Sequence, residues 1–257
     1  MRVIYLGQCG FLLDFGHTRI VTDPYLSDAV DRHRPGDAGW TRQYPAPAAL
    51  MDLAPDGILI SHAHDDHMDG MTLMPYVRAG GTARMCAPKP EVYRLTEMGV
   101  KNTYPCRAEE PFCIGGVTVT PIPCAHTQLH LSEEGCFHEL SYIVSDGENK
   151  VFFGGDMSLY DGLVRRLSGE GCQILLLPVN GRDEERTRAG IIGNIDEREA
   201  AWFARALGAA YVPAHHDLYT ANGCPVERAA TAAKELGADI RPLEPGEELT
   251  LVGGRIR

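Results

Sequence analysis

Short apolar runs alternate with amphipathic stretches along the whole chain. Three runs at the start, "RVIYL", "GFLLDFG" and "TRIVTD", are separated by short turns and predict an antiparallel meander. "GILIS" and "CQILLLPVNG" are continuous apolar runs, which are typical of strands buried on both faces. "LSYIVSDGENKVFFGGD" predicts a hairpin with an Asp-Gly turn, and "EELTLVGGRIR" predicts a final pair of strands.

Helices are predicted between these strands, at residues 71–80 and 89–98 and in two later stretches. In "DEREAAWFARALG" five apolar residues fall near one stripe, and Gly208 ends the helix. They are Ala200, Trp202, Phe203, Ala206 and Leu207. "VERAATAAKELG" predicts another helix that ends at Gly237. The alternation of strands and helices places the chain in the α/β class.

Two irregular stretches interrupt the pattern, residues 27–55 and residues 181–196. Neither has the composition of a domain linker, so we predict one domain over residues 1–257. A long loop inside a compact domain usually has a functional role, and we predict that residues 27–55 form a lid over a site.

Several of the apolar runs deliver a polar, metal-binding type of residue at their carboxyl end. "ILIS" leads into His62, "TPIPCA" into His126, "VFFGG" into Asp156, and "VPA" into His215. Strand ends at one edge of a sheet lie close together in space, and the loops there commonly hold binding sites. We therefore expect these four segments to meet at one rim.

The motif "HAHDDH" has the spacing His-x-His-x-Asp-His. Imidazole and carboxylate donors suit zinc, manganese and iron. Two groups of donors are predicted, with Asp156 as a bridge between them. The first group is His62, His64 and His126, and the second is Asp66, His67 and His215. Two ions held in this way can activate water and polarise an ester, lactone or phosphoryl oxygen.

A structural explanation competes with the functional one for each isolated histidine. A single histidine at a strand end is usually a hydrogen-bonded structural residue. Three imidazoles within six positions are harder to explain in that way, because only ten histidines occur in the chain. Surface or supporting positions are expected for the histidines outside the two groups: His17, His33, His130, His138 and His216.

Composition excludes several classes of function. The net charge is −11 and the pI about 5.3, so the surface as a whole disfavours nucleic acid. No run of eighteen apolar residues predicts a membrane span, and the first residues lack a signal-peptide pattern. The eight cysteines form no C-x-x-C pair, which favours reduced thiols in a cytoplasmic protein. The oligomeric state is left open, a homo-oligomer included.

The motif and the later donors, taken in order, resemble the metallo-β-lactamase superfamily over nearly the whole chain. The resemblance rests on "HAHDDH", a downstream histidine, a Gly-Asp after a hairpin and a Pro-x-His. It implies a four-layer αββα sandwich with a metal site at one edge of the paired sheets. It also places Asp23, in "TDP", among residues that orient a ligand, a role also expected of His216.

The second half of the chain is similar to the L-ascorbate-6-phosphate lactonase branch of that superfamily. The similarity lies in "PVNGRD", "IGNID" with "EA", and "PAHHD". It implies hydrolysis of a small phosphorylated or acidic lactone or ester, with manganese as the metal. A third imidazole, His126, favours zinc instead, so we expect one or two ions of Mn²⁺ or Zn²⁺.

Roles in such a reaction follow from residue chemistry. Asp66 would orient or deprotonate the water as well as bind metal. Guanidinium groups pair with phosphate, so an anionic small-molecule substrate is expected near the loop "NGRDEERTR". The candidate contacts are Asn180, Arg182, Arg186, Arg188 and Asn194. Pairing of the arginines with neighbouring acids, and helix capping by Asn194 or Asp196, are the structural alternatives.

Other functions remain open at this stage. The same donors would serve a phosphodiesterase, an iron-binding oxidoreductase, or a metal-binding protein without turnover. Metal content and a panel of substrates separate these possibilities.

Overall fold

The computed structural model describes residues 1–257 as two β-sheets packed face to face, with helices on the two outer surfaces. The first sheet has eight strands and the second has seven. The predicted αββα sandwich is confirmed.

The first sheet has the strand order β15-β14-β1-β2-β3-β4-β5-β6. Its strands are β1 (Arg2–Gly7), β2 (Gly10–Asp14), β3 (Arg19–Thr22), β4 (Gly57–Leu59), β5 (Arg84–Pro88), β6 (Thr103–Cys106), β14 (Glu248–Val252) and β15 (Arg255–Ile256). The second sheet has the order β13-β12-β11-β10-β9-β8-β7. Its strands are β7 (Phe112–Ile114), β8 (Val117–Pro123), β9 (Leu140–Ser145), β10 (Lys150–Phe153), β11 (Ile174–Pro178), β12 (Ala210–Ala214) and β13 (Asp239–Ile240).

Seven α-helices and two short 3₁₀ turns connect the strands. The helices are α1 (Ala29–His33), α2 (Gly70–Arg78), α3 (Val92–Glu97), α4 (Leu163–Leu167), α5 (Glu184–Arg188), α6 (Glu197–Leu207) and α7 (Val226–Leu236). The 3₁₀ turns are Ala38–Trp40 and Thr220–Asn222. None of these helices is both long and apolar enough to cross a lipid bilayer.

The apolar residues form three large clusters, as four layers require. One cluster lies between the sheets and includes Phe11, Tyr142 and Phe153. A second packs Phe203 of α6 against the outer face of the second sheet. A third packs Leu73 of α2 against the outer face of the first sheet. Burial of these faces supplies the main driving force for the layered arrangement.

The element predictions are largely confirmed. The first three strands pair antiparallel in sequence, β4 lies between two parallel neighbours, and β9 pairs with β10. The helices predicted at 71–80 and 89–98 are shorter than expected, because turns take up their ends. Helix α6 begins with a capping box of Asp196 and Glu199, and Gly208 ends it at φ 66°.

Strand direction brings the strand ends of the second sheet to one rim. β10, β11 and β12 are parallel to one another. β9 is antiparallel to both β8 and β10, so β8 runs in the same direction as β10. The carboxyl ends of β8, β10 and β12 therefore share one edge of the sheet.

Residues 27–55 form α1 and a 3₁₀ turn that pack against residues near 219. Tyr219 donates a hydrogen bond to Asp31 at 2.7 Å, and its ring lies 5.6 Å from that of Trp40. Arg42 donates to the carbonyl oxygens of Ser27 and Tyr44. These contacts hold the segment against the rim that carries the strand ends.

The neighbours Phe203 and Trp202 on α6 provide a matched test of the outer core. Phe203 is fully buried, with its ring 6.2 Å from that of Phe152, whereas Trp202 is 49% exposed. The prediction that Trp202 and Ala206 belong to the apolar stripe is wrong, because both lie on the solvent side of the helix. Phe203→Ala should lower the free energy of unfolding by about 3–5 kcal/mol, because it leaves a cavity. Trp202→Ala should change it by less than about 1 kcal/mol. Urea denaturation measures both, and equal losses would contradict the packing described.

Candidate metal centre

The motif "HAHDDH" forms the tight turn between β4 and α2. The backbone amides of His67 and Met68 donate to the carbonyl of His64, which closes the turn. Asp69 then caps α2 by accepting a hydrogen bond from the amide of Met71. A short buried strand therefore ends in a compact turn that presents its side chains to one rim of the sandwich.

The first group of donors comes from both sheets. His62, His64, His126 and Asp156 place one ligand atom each within 4.8 Å of one another. Nε2 of His62 lies 2.9 Å from Nδ1 of His64. Three of the four residues are buried, and His64 is exposed on the open side of the group.

The second group also draws on both sheets. Asp66, His67 and His215 satisfy the same 4.8 Å criterion. Nε2 of His67 lies 3.6 Å from Oδ2 of Asp66, and Nε2 of His215 lies 3.3 Å from the same oxygen. The structure thus brings the donors together in the two predicted groups.

Asp156 stands between the two groups. Its Oδ1 lies 3.3 Å from Nε2 of His67 and 3.5 Å from Nε2 of His215, whereas its Oδ2 lies 3.7 Å from Nε2 of His126. One carboxylate oxygen therefore faces each group. The preceding Gly155 has φ 64°, and a side chain there would meet Ser61 at 2.6 Å, so only glycine fits this approach.

Asp23 fixes the orientation of His67. Its Oδ2 lies 2.6 Å from Nδ1 of His67, and its two oxygens accept hydrogen bonds from the amide and the hydroxyl of Ser61. Asp23 is fully buried. With Nδ1 bonded in this way, Nε2 of His67 is the nitrogen that faces Asp66 and Asp156.

Burial and charge set the protonation of the donors. Burial lowers the pKa of His126 to about 4, although Asp156 acts in the opposite direction. Burial also lowers the pKa of His62 well below its usual range. For Asp156 burial favours the neutral acid, but His215 and His67 outweigh it and hold its pKa well below the ordinary value. His62 and His126 therefore offer neutral imidazoles and Asp156 an ionised carboxylate, the forms that bind metal.

Unpaired nitrogens show that the residues fit a metal. Nε2 of His67 and both ring nitrogens of His126 are buried and make no hydrogen bond. An unpaired buried polar atom is costly, and a cation held by these lone pairs removes that cost. Two donors that are each about 2.1 Å from one ion lie roughly 3.0–3.4 Å apart, close to the separations in the second group.

Four of the seven donors line a cavity of ≈ 300 Å³ that is open to solvent. His64, Asp66, Asp156 and His215 lie on its floor side by side. Its other walls come from residues near 30–40, near 190 and at 222: Val30, His33, Arg34, Trp40, Gly190, Ile191, Ile192 and Asn222. Trp40 thus lies where the lid prediction placed the 27–55 segment, beside the candidate centre.

The three arginines expected to meet substrate lie outside this cavity. Arg182 makes two hydrogen bonds to Glu199, and Arg186 donates to the carbonyl oxygens of Asn180 and Gly223. Arg188 is 76% exposed and lies 3.7 Å from Glu184. The structural alternative of internal pairing describes Arg182 and Arg186, whose guanidinium groups are satisfied by acids and carbonyls, whereas Arg188 faces solvent near Glu184.

The two asparagines and His216 also lie behind the site. Nδ2 of Asn194 donates to Oδ1 of Asn180, and Nδ2 of Asn180 donates to Asn222. This buried amide chain supports Asn222, the one member that lines the cavity. His216 stacks on Tyr5 at 6.2 Å and makes no hydrogen bond from Nε2. It supports the loop after β12 by packing and holds no donor in place.

Sequence reasoning missed Gln8 and Arg34, which both contact the candidate centre or its cavity. Nε2 of Gln8 donates to Oδ2 of Asp66 at 2.7 Å. Arg34 lines the cavity with its guanidinium 4.2 Å from the ring centre of Trp40. A Gly-Gln-Cys-Gly turn between two apolar strands was a signal for Gln8, since turns at strand ends hold sites.

The chain is similar in sequence to curated proteins over almost its full length. A UPF0173 metal-dependent hydrolase from Thermus thermophilus is 25% identical over 252 residues, which cover 98% of this chain and 99% of the relative.

Solved structures share the fold at lower identity. The metallo hydrolase Igni18 from Ignicoccus hospitalis has a TM-score of 0.72 at 20% identity and covers 96% of both chains. An isothiocyanate hydrolase from Delia radicum gut bacteria has a TM-score of 0.78 at 16% identity, covering 98% of this chain and all of that one.

A model of the β-lactamase superfamily domain matches residues 18–216, which include every donor of both groups. Together with the two-sheet sandwich and the order of the donors along the chain, this match shows that the chain belongs to the metallo-β-lactamase superfamily.

Proposed function

We propose that the protein is a metal-dependent hydrolase that acts on a small anionic lactone or ester. The observation that carries the proposal is the clustering of seven donor side chains, four of which line one solvent-open cavity. Relatives that match the full chain carry the name metal-dependent hydrolase, which supports the same class.

His62, His64 and His126 would hold one ion, and Asp66, His67 and His215 a second, with Asp156 shared. Bound metal supplies a Lewis acid that polarises the substrate oxygen and lowers the pKa of water. Asp66 would orient the attacking water, because its carboxylate is 20% exposed on the cavity side. Asp23 would keep His67 in the tautomer that leaves Nε2 free.

The preference for an anionic substrate rests on Arg34. It is the only arginine or lysine that lines the cavity, in a chain with a net charge of −11. Its guanidinium lies against Trp40 and pairs with no carboxylate, so its hydrogen-bond donors remain available. A phosphate or carboxylate on the substrate would bind there, while the scissile carbonyl faces the donors.

The donor types support zinc or manganese as the metal. The first group has three imidazoles, a set typical of zinc. The second group has fewer imidazoles and more oxygen, which manganese accepts readily. The open volume of ≈ 300 Å³ fits a small molecule rather than a polymer.

His126 and His130 give a matched pair for the metal content. Both lie in the loop after β8, but His126 is buried in the first group, whereas His130 is 40% exposed and bonds to Glu139. We expect His126→Ala to lose at least one equivalent of metal and His130→Ala to keep the wild-type amount. Elemental analysis of protein purified without added metal provides the measurement. Predominant iron in the wild type would contradict the hydrolase proposal.

A panel of phosphorylated lactones, neutral lactones and phosphodiesters tests the reaction itself. Metal-reconstituted wild type should hydrolyse phosphorylated or acidic lactones, and Asp66→Asn should lower kcat by at least roughly 100-fold, because it loses a donor and the carboxylate that positions water. Turnover of phosphodiesters alone would replace lactones with that substrate class. A mutant as active as wild type would contradict the role of Asp66.

Arg34 and Arg188 form a second matched pair, since both are exposed but only Arg34 lines the cavity. Arg34→Met should raise KM for an anionic substrate roughly 10- to 100-fold, the loss of a charge-assisted hydrogen bond. KM for a neutral ester of the same size should stay within about threefold. Arg188→Met should leave both values unchanged. Equal effects of Arg34→Met on charged and neutral substrates would rule out recognition of the anion.

A further inference from the structure

The side chain of Gln8 reaches into the second group of donors. Gln8 lies in the turn between β1 and β2 and is 2% exposed. Its Nε2 lies 2.7 Å from Oδ2 of Asp66 and 3.0 Å from Nε2 of His215. It is a buried polar side chain aimed at two candidate ligands, and the reaction outlined above gives it no role.

The backbone holds Gln8 at this position under strain. Gln8 has φ 54°, and His215, also outside the usual range, has φ 55°. The amide of His215 donates to the carbonyl of Gln8 at 2.7 Å, and the hydroxyl of Tyr5 donates to the same oxygen at 3.2 Å. Left-handed conformations cost energy in residues other than glycine and cluster at functional sites. The pair of strained residues fixes the distance between Gln8 and the second group.

The donor atoms of the second group and of Asp156 are spaced as ligands of one ion are. Within the second group and Asp156 the donor atoms lie 3.3–3.6 Å apart. The end of the Gln8 carboxamide lies 2.7 and 3.0 Å from two of these atoms, so it continues the same cluster. Donors that share an ion lie roughly 3.0–3.4 Å apart, which matches the separation from His215, whereas the 2.7 Å separation from Asp66 is that of a hydrogen bond.

The two ends of the carboxamide suit two states of the site. Without an ion, the NH₂ group donates to Oδ2 of Asp66 and lies 3.0 Å from Nε2 of His215. A cation would take those same lone pairs and would repel the NH₂ hydrogens. A half-turn about the terminal bond exchanges NH₂ for the carbonyl oxygen, a ligand that suits manganese.

We propose that Gln8 is a further ligand of the second group, which turns its carboxamide oxygen toward the ion when the ion binds. The proposal rests on the proposed function only in requiring that a metal enters the second group. Gln8 would add a neutral oxygen ligand to the second group. The second group would then have a larger share of oxygen ligands than the first group.

Calorimetric titration of metal-free protein with Mn²⁺ tests the proposal. Wild type should take up two ions. Gln8→Leu and Gln8→Asn should weaken the affinity for the ion in the second group roughly 10- to 100-fold and leave the affinity of the first group within threefold. Leucine removes the carboxamide oxygen, and asparagine shortens its reach. Gln8→Glu should bind the second ion at least as tightly as wild type. Gln43→Leu is the control, since Gln43 is exposed and its side chain donates only to the carbonyl of Thr41.

Nitrogen-15 NMR with Zn²⁺ gives a readout that does not depend on activity. The side-chain amide signal of Gln8, identified by its loss in Gln8→Leu, should shift with the second equivalent of zinc and not with the first. Circular dichroism of each metal-free variant checks that the chain has folded.

The outcomes separate the two proposals. The role of Gln8 would be overturned if wild type bound two ions and both Gln8→Leu and Gln8→Asn bound the second ion with unchanged affinity. That result would leave the proposed hydrolase intact. Uptake of one ion only, with an affinity unchanged in Gln8→Leu and Gln8→Asn, would also overturn it and leave a one-ion hydrolase. A wild type that binds neither Mn²⁺ nor Zn²⁺ would overturn the proposed function itself.

Discussion

The buried carboxylate of Asp23 is the interaction on which the candidate centre depends. It lies just after β3, accepts hydrogen bonds from the amide and hydroxyl of Ser61, and bonds Nδ1 of His67. The end of β4 and the start of the histidine turn are therefore anchored to one fully buried group. The bond from Asp23 to Nδ1 determines that Nε2 of His67 faces the other donors. This polar group can remain buried because the amide and hydroxyl of Ser61 and Nδ1 of His67 engage both of its oxygens.

Much of this arrangement could be predicted from the sequence, because strand ends and residue types carry the information. The apolar run before His62 predicts a buried strand, and parallel strands bring their carboxyl ends to one edge. His126, Asp156 and His215 follow the same rule in the second sheet. Histidine is also an uncommon residue type, with ten in the chain, so its repeated placement at strand ends is informative. Helix ends were predictable in the same way from Gly208 and Gly237, which both adopt positive φ.

What could not be predicted depends on loop conformation, which local sequence does not determine. The loop with Arg182 and Arg186 looked like an anion site, yet Glu199 and backbone carbonyls satisfy both guanidinium groups. Arg34 takes the cavity position because α1 and the following turn pack against Tyr219, a contact between residues far apart in the chain. Gln8 carries no motif of its own. Its importance follows from a left-handed backbone conformation and from a contact with His215 that only the folded sheets create.

Each group of donors is divided between the two sheets. His62, His64, Asp66 and His67 follow β4 in the first sheet, whereas His126, Asp156 and His215 follow strands of the second. Neither half of the chain, folded alone, could offer a complete set. A complete set of ligands therefore forms only after the two sheets have packed together during folding. A bound ion would then cross-link two layers that are otherwise held together by apolar contacts. The ion would slow the separation of the sheets, and loss of metal would first weaken the packing of the two sheets at this rim.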